Sequence, residues 1–100
     1  MALAGAPFER VQSLPYRSWV EVSRPQIAAN FGAIQKAVGS GVEIMPVVKA
    51  DAYRHGAIEV SHTLEASGAR WLAVSNTDEG VALRDSGIRT RILVMADCLP

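Results

Sequence analysis

The sequence predicts an α/β fold with a parallel sheet, the kind of fold that forms the N-terminal portion of a (β/α)8 barrel of the TIM type. Apolar runs rich in β-branched residues alternate with segments whose apolar residues recur at helical spacing, and the repeat is about 20 to 25 residues long. Short loops join these segments, as expected for crossovers between parallel strands. Three such units leave a barrel incomplete, since eight of them need about 250 residues. A small open sheet of three strands is the alternative prediction, although both its edges would be poorly covered.

The composition is that of one soluble globular unit. The 100 residues are 49% hydrophobic and include ten basic and ten acidic side chains, so the formal net charge is zero. Scattered lysines and arginines without a basic surplus argue against nucleic-acid binding. We expect a cytoplasmic protein without a membrane span, because no apolar stretch approaches roughly 20 residues. Cys98 is the single cysteine, so no internal disulfide or cysteine metal cluster is predicted.

The first predicted elements are a short strand and a capped helix. Residues Ser18 to Val22 alternate weakly and favour a strand. Ser23 is then a suitable N-cap, Pro25 fits a first helical turn, and Gln26 has the spacing of a capping box. The helix should present one apolar face before glycines 39 and 41 end it, formed by Ile27, Phe31, Ile34 and Val38.

The next unit begins with the apolar run VEIMPVVK, which predicts a buried strand that stops at Lys49. Pro46 cannot donate to a strand ladder, so pairing should begin late in this run. A second helix should start near Gly56 and end at Gly68, and its apolar face should be formed by Ala57, Val60 and Leu64.

Two more strands flank a third helix. Arg70 to Ser75 is predicted to form a buried strand, and Arg91 to Met95 a third apolar strand. Between them, Asn76 followed by Glu79 predicts a helix start, and Gly87 predicts its end. The apolar residues of this helix are Val81 and Leu83.

Lys49 is the candidate functional residue. Ligands of parallel α/β proteins bind outside the carboxyl ends of the strands, where this lysine is predicted to lie. The Lys49 amine follows the apolar residues Val47 and Val48, and a neutral lysine amine attacks a carbonyl to make a Schiff base. Tyr53 offers a phenol to a phosphate, and the helix start near Gly56 offers amide groups to an anion. The alternative is a lysine that only extends its amine into water.

The segment VVKADAYRHG resembles the cofactor-lysine motif of the alanine racemase family. The segments SWVEVSRPQIAANFGAI and LEASGARWLAVSNTDEGVALRDSGIRTRILVM are also similar to that family, so the resemblance covers residues 18–100. Residues 1–17 form an extension that does not match. The resemblance implies an eight-stranded α/β barrel followed by a mostly β domain, in a homodimer. It implies that Lys49 binds pyridoxal 5′-phosphate covalently and that Tyr53 helps to bind the cofactor phosphate.

The activity implied is the interconversion of L-alanine and D-alanine, for bacterial wall building. Lys49 would act as the acid/base on one face of the substrate, and a tyrosine from the partner subunit's C-terminal domain would act on the other. That tyrosine is not among these residues, so we expect the isolated chain to be inactive. Three alternatives remain: a non-catalytic pyridoxal-phosphate carrier, a racemase of another amino acid such as serine, and a structural segment in which Lys49 has no role.

Arg54 departs from the family motif, which has glycine at this position. We expect its side chain to be exposed, with a phosphate contact as the alternative, and a positive φ there would be strained. Structural roles are predicted for the other candidates, namely core packing for Met95, backbone hydrogen bonding for His55, surface exposure for His62, and helix capping for Asp78 and Glu79.

Overall fold

The computed structural model describes residues 9–10 and 21–96, so Cys98 and most of the N-terminal extension lie outside the described residues. Of the strand predicted over residues 18–22, only the last two residues are described. The elements in chain order are β1 (Glu9–Arg10), β2 (Glu21–Val22), α1 (Arg24–Val38), α2 (Lys49–Tyr53), α3 (Ala57–Ala66), β3 (Trp71–Val74), α4 (Thr77–Asp85) and β4 (Arg91–Val94). Strands β1 and β2 pair antiparallel, whereas β3 and β4 pair in parallel.

Side-chain caps fix the starts of two helices, as predicted. The Ser23 hydroxyl accepts the Gln26 N–H at 3.2 Å at the start of α1. The Gln26 side chain does not complete a capping box; its Nε2 donates to Asn30 Oδ1. At the start of α4, the Asn76 side chain accepts the Glu79 N–H at 2.9 Å. Local sequence therefore determines where these helices begin.

The strand predicted over residues 42–49 is much shorter in the structure. It is reduced to one parallel bridge between Val47 and Ala73. Around this bridge the Ala73 N–H donates to the Pro46 carbonyl at 2.9 Å, and the Val48 N–H donates to the Ala73 carbonyl at 2.8 Å. Pairing thus begins at Pro46, as the missing N–H of proline led us to expect. The order of the parallel segments in space is 47–48, β3, β4.

The core lies between this sheet and the helices that cover one of its faces. Leu72 and Val74 of β3 are fully buried, and Val48 is nearly so. The helices and the loop before β4 contribute the other main core side chains, which are Phe31, Val60, Leu64, Leu83 and Ile88. The predicted apolar faces of α3 and of β3 are therefore confirmed.

The opposite face of the sheet is exposed within the described residues, so the first strand, which was predicted to be buried, is covered on one face only. Side chains alternate across a strand, and the helices cover only one set. The exposed set includes Met95, which is 46% exposed, although core packing was predicted for it. The other exposed apolar side chains of the first and last parallel strands are Met45, Val47 and Leu93. In a closed barrel this face lines the interior.

Two helices also have apolar residues that the core does not use. Ile34 and Val38 in α1 are exposed, although they were predicted to share an apolar face with Phe31, which is buried. Val81 in α4 is exposed as well, whereas Leu83 is buried. Only the side of each helix that touches α3 or the sheet is covered by described residues. No helix in residues 21–96 is long and apolar enough to cross a bilayer.

Candidate functional site at the C-terminal edge of the sheet

Lys49 lies at the carboxyl edge of the parallel sheet, as predicted. Its two chain neighbours are both fixed, because the Val48 N–H donates to the Ala73 carbonyl and the Ala50 N–H donates to Glu79 Oε2, each at 2.8 Å. The Lys49 side chain is half-buried. Its amine has no hydrogen-bond or ion-pair partner among the described residues. The main chain is therefore held while the amine remains available for a ligand.

The five residues after Lys49 have left-handed backbone conformations. Ala50, Asp51 and Ala52 have φ between 52° and 58° and ψ between 40° and 47°, which is left-handed helical geometry. Tyr53 and Arg54 continue it with φ of 54° and 74°. Each non-glycine residue in this region costs about 1–2 kcal/mol, so the turn stores roughly 5–10 kcal/mol. Such strain persists only where the surroundings impose it, and it is concentrated at functional sites.

Asp51 fixes the far end of this left-handed turn to the start of α3. Its carbonyl accepts the Gly56 N–H at 2.9 Å, and its Oδ1 accepts the Ala57 N–H at 2.8 Å. The prediction that the start of α3 offers its amides to an anion is therefore wrong for the first amide, because a carboxylate already occupies it. Asp51 acts as the side-chain cap that Gly56 cannot provide.

Glu79 joins the turn to the neighbouring unit. Its Oε1 accepts the Ser75 N–H at 2.7 Å and the Ser75 hydroxyl at 2.6 Å, while its Oε2 accepts the Ala50 N–H. The Ser75 hydroxyl is the main reason that the pKa of Glu79 is lowered, and the backbone N–H groups of Ser75 and Ala50 add to it against partial burial. Helix capping was predicted for Glu79, and the contact with Ala50 was missed. The sequence did contain a signal for this contact, because the Glu79 carboxylate closely follows the strand that neighbours Lys49.

The remaining candidates have the following places. Tyr53 is 56% exposed, four residues from Lys49. Arg54 is exposed, as predicted, and has the positive φ that favours glycine. The His55 Nδ1 lies 2.9 Å from the Ala52 carbonyl, which can only accept, so this nitrogen bears the proton and the predicted backbone role is confirmed.

Two further predictions concern α3 and α4. His62 is half-buried, and its Nε2 lies 3.0 Å from the Ser86 carbonyl, so the prediction of a surface residue is wrong. Asp78 is exposed in the first turn of α4, where its charge complements the helix dipole. Residues 21–96 contain no group of three histidine, cysteine or acidic side chains that could hold a metal ion.

The parallel βα units and the Lys49 amine at their carboxyl edge indicate an α/β barrel protein with a ligand site at that edge. A family-wide sequence model described as "Alanine racemase, N-terminal domain" matches residues 22–100, and the chain belongs to this family. The alanine racemase of Halothermothrix orenii is 43% identical over 83 residues, which are 83% of this chain and 22% of that protein. An amino-acid racemase of Enterococcus faecalis is 39% identical over 84 residues, 84% of this chain and 12% of that protein.

The solved alanine racemase of Clostridium difficile 630 is similar in structure, with a TM-score of 0.71 and 38% sequence identity. The match covers 76% of this chain and 20% of that one. The described residues are therefore the N-terminal portion of a (β/α)8 barrel, as predicted. The chain spans about a fifth of the length of the alanine racemases that it matches.

Proposed function

We propose that the whole protein is an alanine racemase that interconverts L-alanine and D-alanine with pyridoxal 5′-phosphate bound covalently to Lys49. The observation that supports this proposal most directly is the Lys49 amine, which lies at the carboxyl edge of the sheet and has no partner among the described residues. The names of the relatives favour the same reaction.

The residues present fit this cofactor. A primary amine is the group that condenses with the cofactor's aldehyde, and the exposed phenol of Tyr53 would donate a hydrogen bond to the cofactor's phosphate. The pyridine ring of the bound cofactor would withdraw electrons from the substrate and so make the Cα–H bond more acidic. No acidic side chain neutralises Lys49 in the described part of the chain, so its amine is free for this bond.

Lys49 would then have two roles. It would hold the cofactor before the substrate binds, and its amine would then remove or return the Cα proton on one face of the substrate. Inversion of configuration requires a second acid/base on the other face. We assign that role to a tyrosine in the C-terminal domain of the partner subunit, so the active form is a homodimer. We further propose that the enzyme is cytoplasmic.

Reductive trapping tests the assignment of Lys49. Borohydride treatment of the intact cofactor-loaded enzyme, followed by peptide mass analysis, should place the label on Lys49. Lys49→Ala should lose the label, the visible absorption and racemisation. Lys36→Ala is the matched control, because Lys36 is an exposed lysine in α1, and it should keep all three. A label on a different side chain would refute the proposal.

A racemase of broader specificity is the second candidate. The Enterococcus faecalis relative named amino-acid racemase is nearly as similar as the alanine racemases, so the described residues do not select between the two. Rates measured with alanine and serine separate these candidates. A rate for serine equal to that for alanine would favour the broader enzyme.

A further inference from the structure

We propose that Glu79 is a positioning residue for Lys49, because its carboxylate joins the ends of two neighbouring strands and holds the left-handed turn that follows the lysine. This inference rests on the proposed role of Lys49 as the cofactor lysine. Glu79 makes no hydrogen bond or ion pair with the Lys49 side chain and would act through the backbone alone.

The contacts of Glu79 are divided between two elements at one edge of the sheet. Oε1 accepts both the N–H and the hydroxyl of Ser75, the first residue after β3. Oε2 accepts the N–H of Ala50, the first residue after Lys49. Through Glu79, the backbone of Ala50 is thus linked to the end of β3. Since the Val48 N–H is bonded to Ala73 in the same strand, Lys49 is fixed from both sides.

The left-handed turn requires such an external contact. Its internal bonds, from the Ala52 N–H to the Val48 carbonyl and from the Arg54 N–H to the Ala50 carbonyl, join residues four apart. A right-handed turn makes bonds with the same spacing, so these bonds do not select the hand of the turn. The strained hand must be imposed from outside. The hydrogen bond from Ala50 to Glu79 acts at the first left-handed residue.

Capping of α4 does not require this arrangement. Asn76 already accepts the Glu79 N–H and provides the N-cap. A glutamine at position 79 would have nearly the same shape but one acceptor oxygen, so it could accept hydrogen bonds on only one of the two sides. An aspartate would keep the charge near the helix start but is one methylene shorter. Both variants should therefore lose the bridge between Ser75 and Ala50, but only the aspartate keeps the negative charge. Comparing them distinguishes an effect of the bridge from an effect of the charge.

Glu65 provides a matched control at the opposite edge of the sheet. Its Oε2 accepts the N–H groups of Arg89 and Thr90 and the Thr90 hydroxyl, at 2.7–2.8 Å. Glu65 is half-buried like Glu79, and it fixes the loop that precedes β4 rather than a loop that follows a strand. Loss of either glutamate should destabilise the barrel, but only Glu79 should affect the cofactor lysine.

The first measurement is cofactor affinity in the intact enzyme, by titration of the cofactor-free protein with pyridoxal 5′-phosphate. Glu79→Gln and Glu79→Asp should each raise the dissociation constant about tenfold, as expected for one lost hydrogen bond to a charged group. Glu65→Gln should leave it within about twofold, a change too small to reflect a lost hydrogen bond. The proposal would be overturned if the Glu79 and Glu65 substitutions changed the dissociation constant equally. It would also be overturned if Glu79→Gln or Glu79→Asp left the constant unchanged.

The second measurement is amide hydrogen exchange in the cofactor-free protein, which does not depend on the proposed function. Both Glu79 variants should speed exchange in residues 48–56, and Glu65→Gln should speed it in residues 88–91 instead. Unchanged exchange in 48–56 in the Glu79 variants would overturn the proposal. If Lys49→Ala bound the cofactor as the wild type does, the proposed function would fail, while this measurement would still decide whether Glu79 holds the turn.

Discussion

Arg54→Gly should stabilise the protein, because Arg54 occupies a backbone conformation that glycine adopts without strain. Its φ is 74° and its ψ is 10°, and its exposed side chain makes no hydrogen bond or ion pair with the described residues. Relief of left-handed strain contributes about 1–2 kcal/mol. The greater freedom of glycine in the unfolded chain opposes this by about 0.5–1 kcal/mol. The expected net gain is about 0.5–1 kcal/mol in the free energy of unfolding.

Arg89→Gly is the matched control for this experiment. Arg89 is also exposed in a loop, but it is not among the residues with positive φ. The same change of side chain should therefore lower the stability by about 0.5–1 kcal/mol, through the unfolded chain alone. The difference between the two variants measures the strain at Arg54 directly and should be about 1–2 kcal/mol.

Urea denaturation of the intact protein, followed by far-UV circular dichroism, measures both variants against the wild type. Opposite shifts of the midpoint at unchanged slope are expected. If Arg54→Gly and Arg89→Gly lowered the midpoint equally, the left-handed conformation at Arg54 would not be strained, and the reasoning about the turn would be wrong.

Three further changes test the packing and charges of the structure. Leu72→Ala removes a side chain with no exposed surface and should cost about 2–5 kcal/mol in chemical denaturation, so a loss below 1 kcal/mol would contradict the packing described. Ser61→Ala should stabilise by about 1 kcal/mol, since the Ser61 hydroxyl is buried without a partner in the described structure; a loss in the same assay would indicate an unrecognised partner. The pKa of Glu65 is lowered, chiefly by the Thr90 hydroxyl, so its stabilisation is complete above the ordinary value of 4.5 and is lost as pH falls through the lower folded value. The melting temperature measured from pH 6 down to pH 3 should therefore fall less steeply for Glu65→Gln than for the wild type, and identical slopes would refute this assignment.

Helix starts and the order of elements could be predicted from the sequence because they depend on local signals. Ser23 and Asn76 are caps with partners three residues away, and the structure shows both contacts. Pro46 also gave a reliable signal, since a residue without an N–H limits strand pairing wherever it lies. The position of Lys49 at the sheet edge followed from this order of elements.

The left-handed turn could not be predicted in the same way. Ala50 and Ala52 belong to the residue type with the highest propensity for right-handed helices, and no glycine occurs between residues 50 and 54. The hydrogen bond that holds the first residue of this turn is made with Glu79, which is 29 residues from Ala50 in the sequence. Burial also depends on parts of the chain far away in the sequence. Periodicity shows that Met95 and Ile34 belong to apolar faces, but not which part of the protein covers each face.

The two glutamates also determine which parts of this barrel can be exchanged with those of a relative. Glu65 extends from α3 to the loop before β4, and Glu79 extends from α4 back to Ala50, so each unit depends on backbone supplied by its neighbour. In a chimaera joined between Ala50 and Glu79, or between Glu65 and Thr90, each glutamate would need the backbone of the other parent to lie in the same position. Junctions outside residues 50–90 keep both glutamates and the backbone groups they bind in one parent, so this range is the suitable unit for recombination.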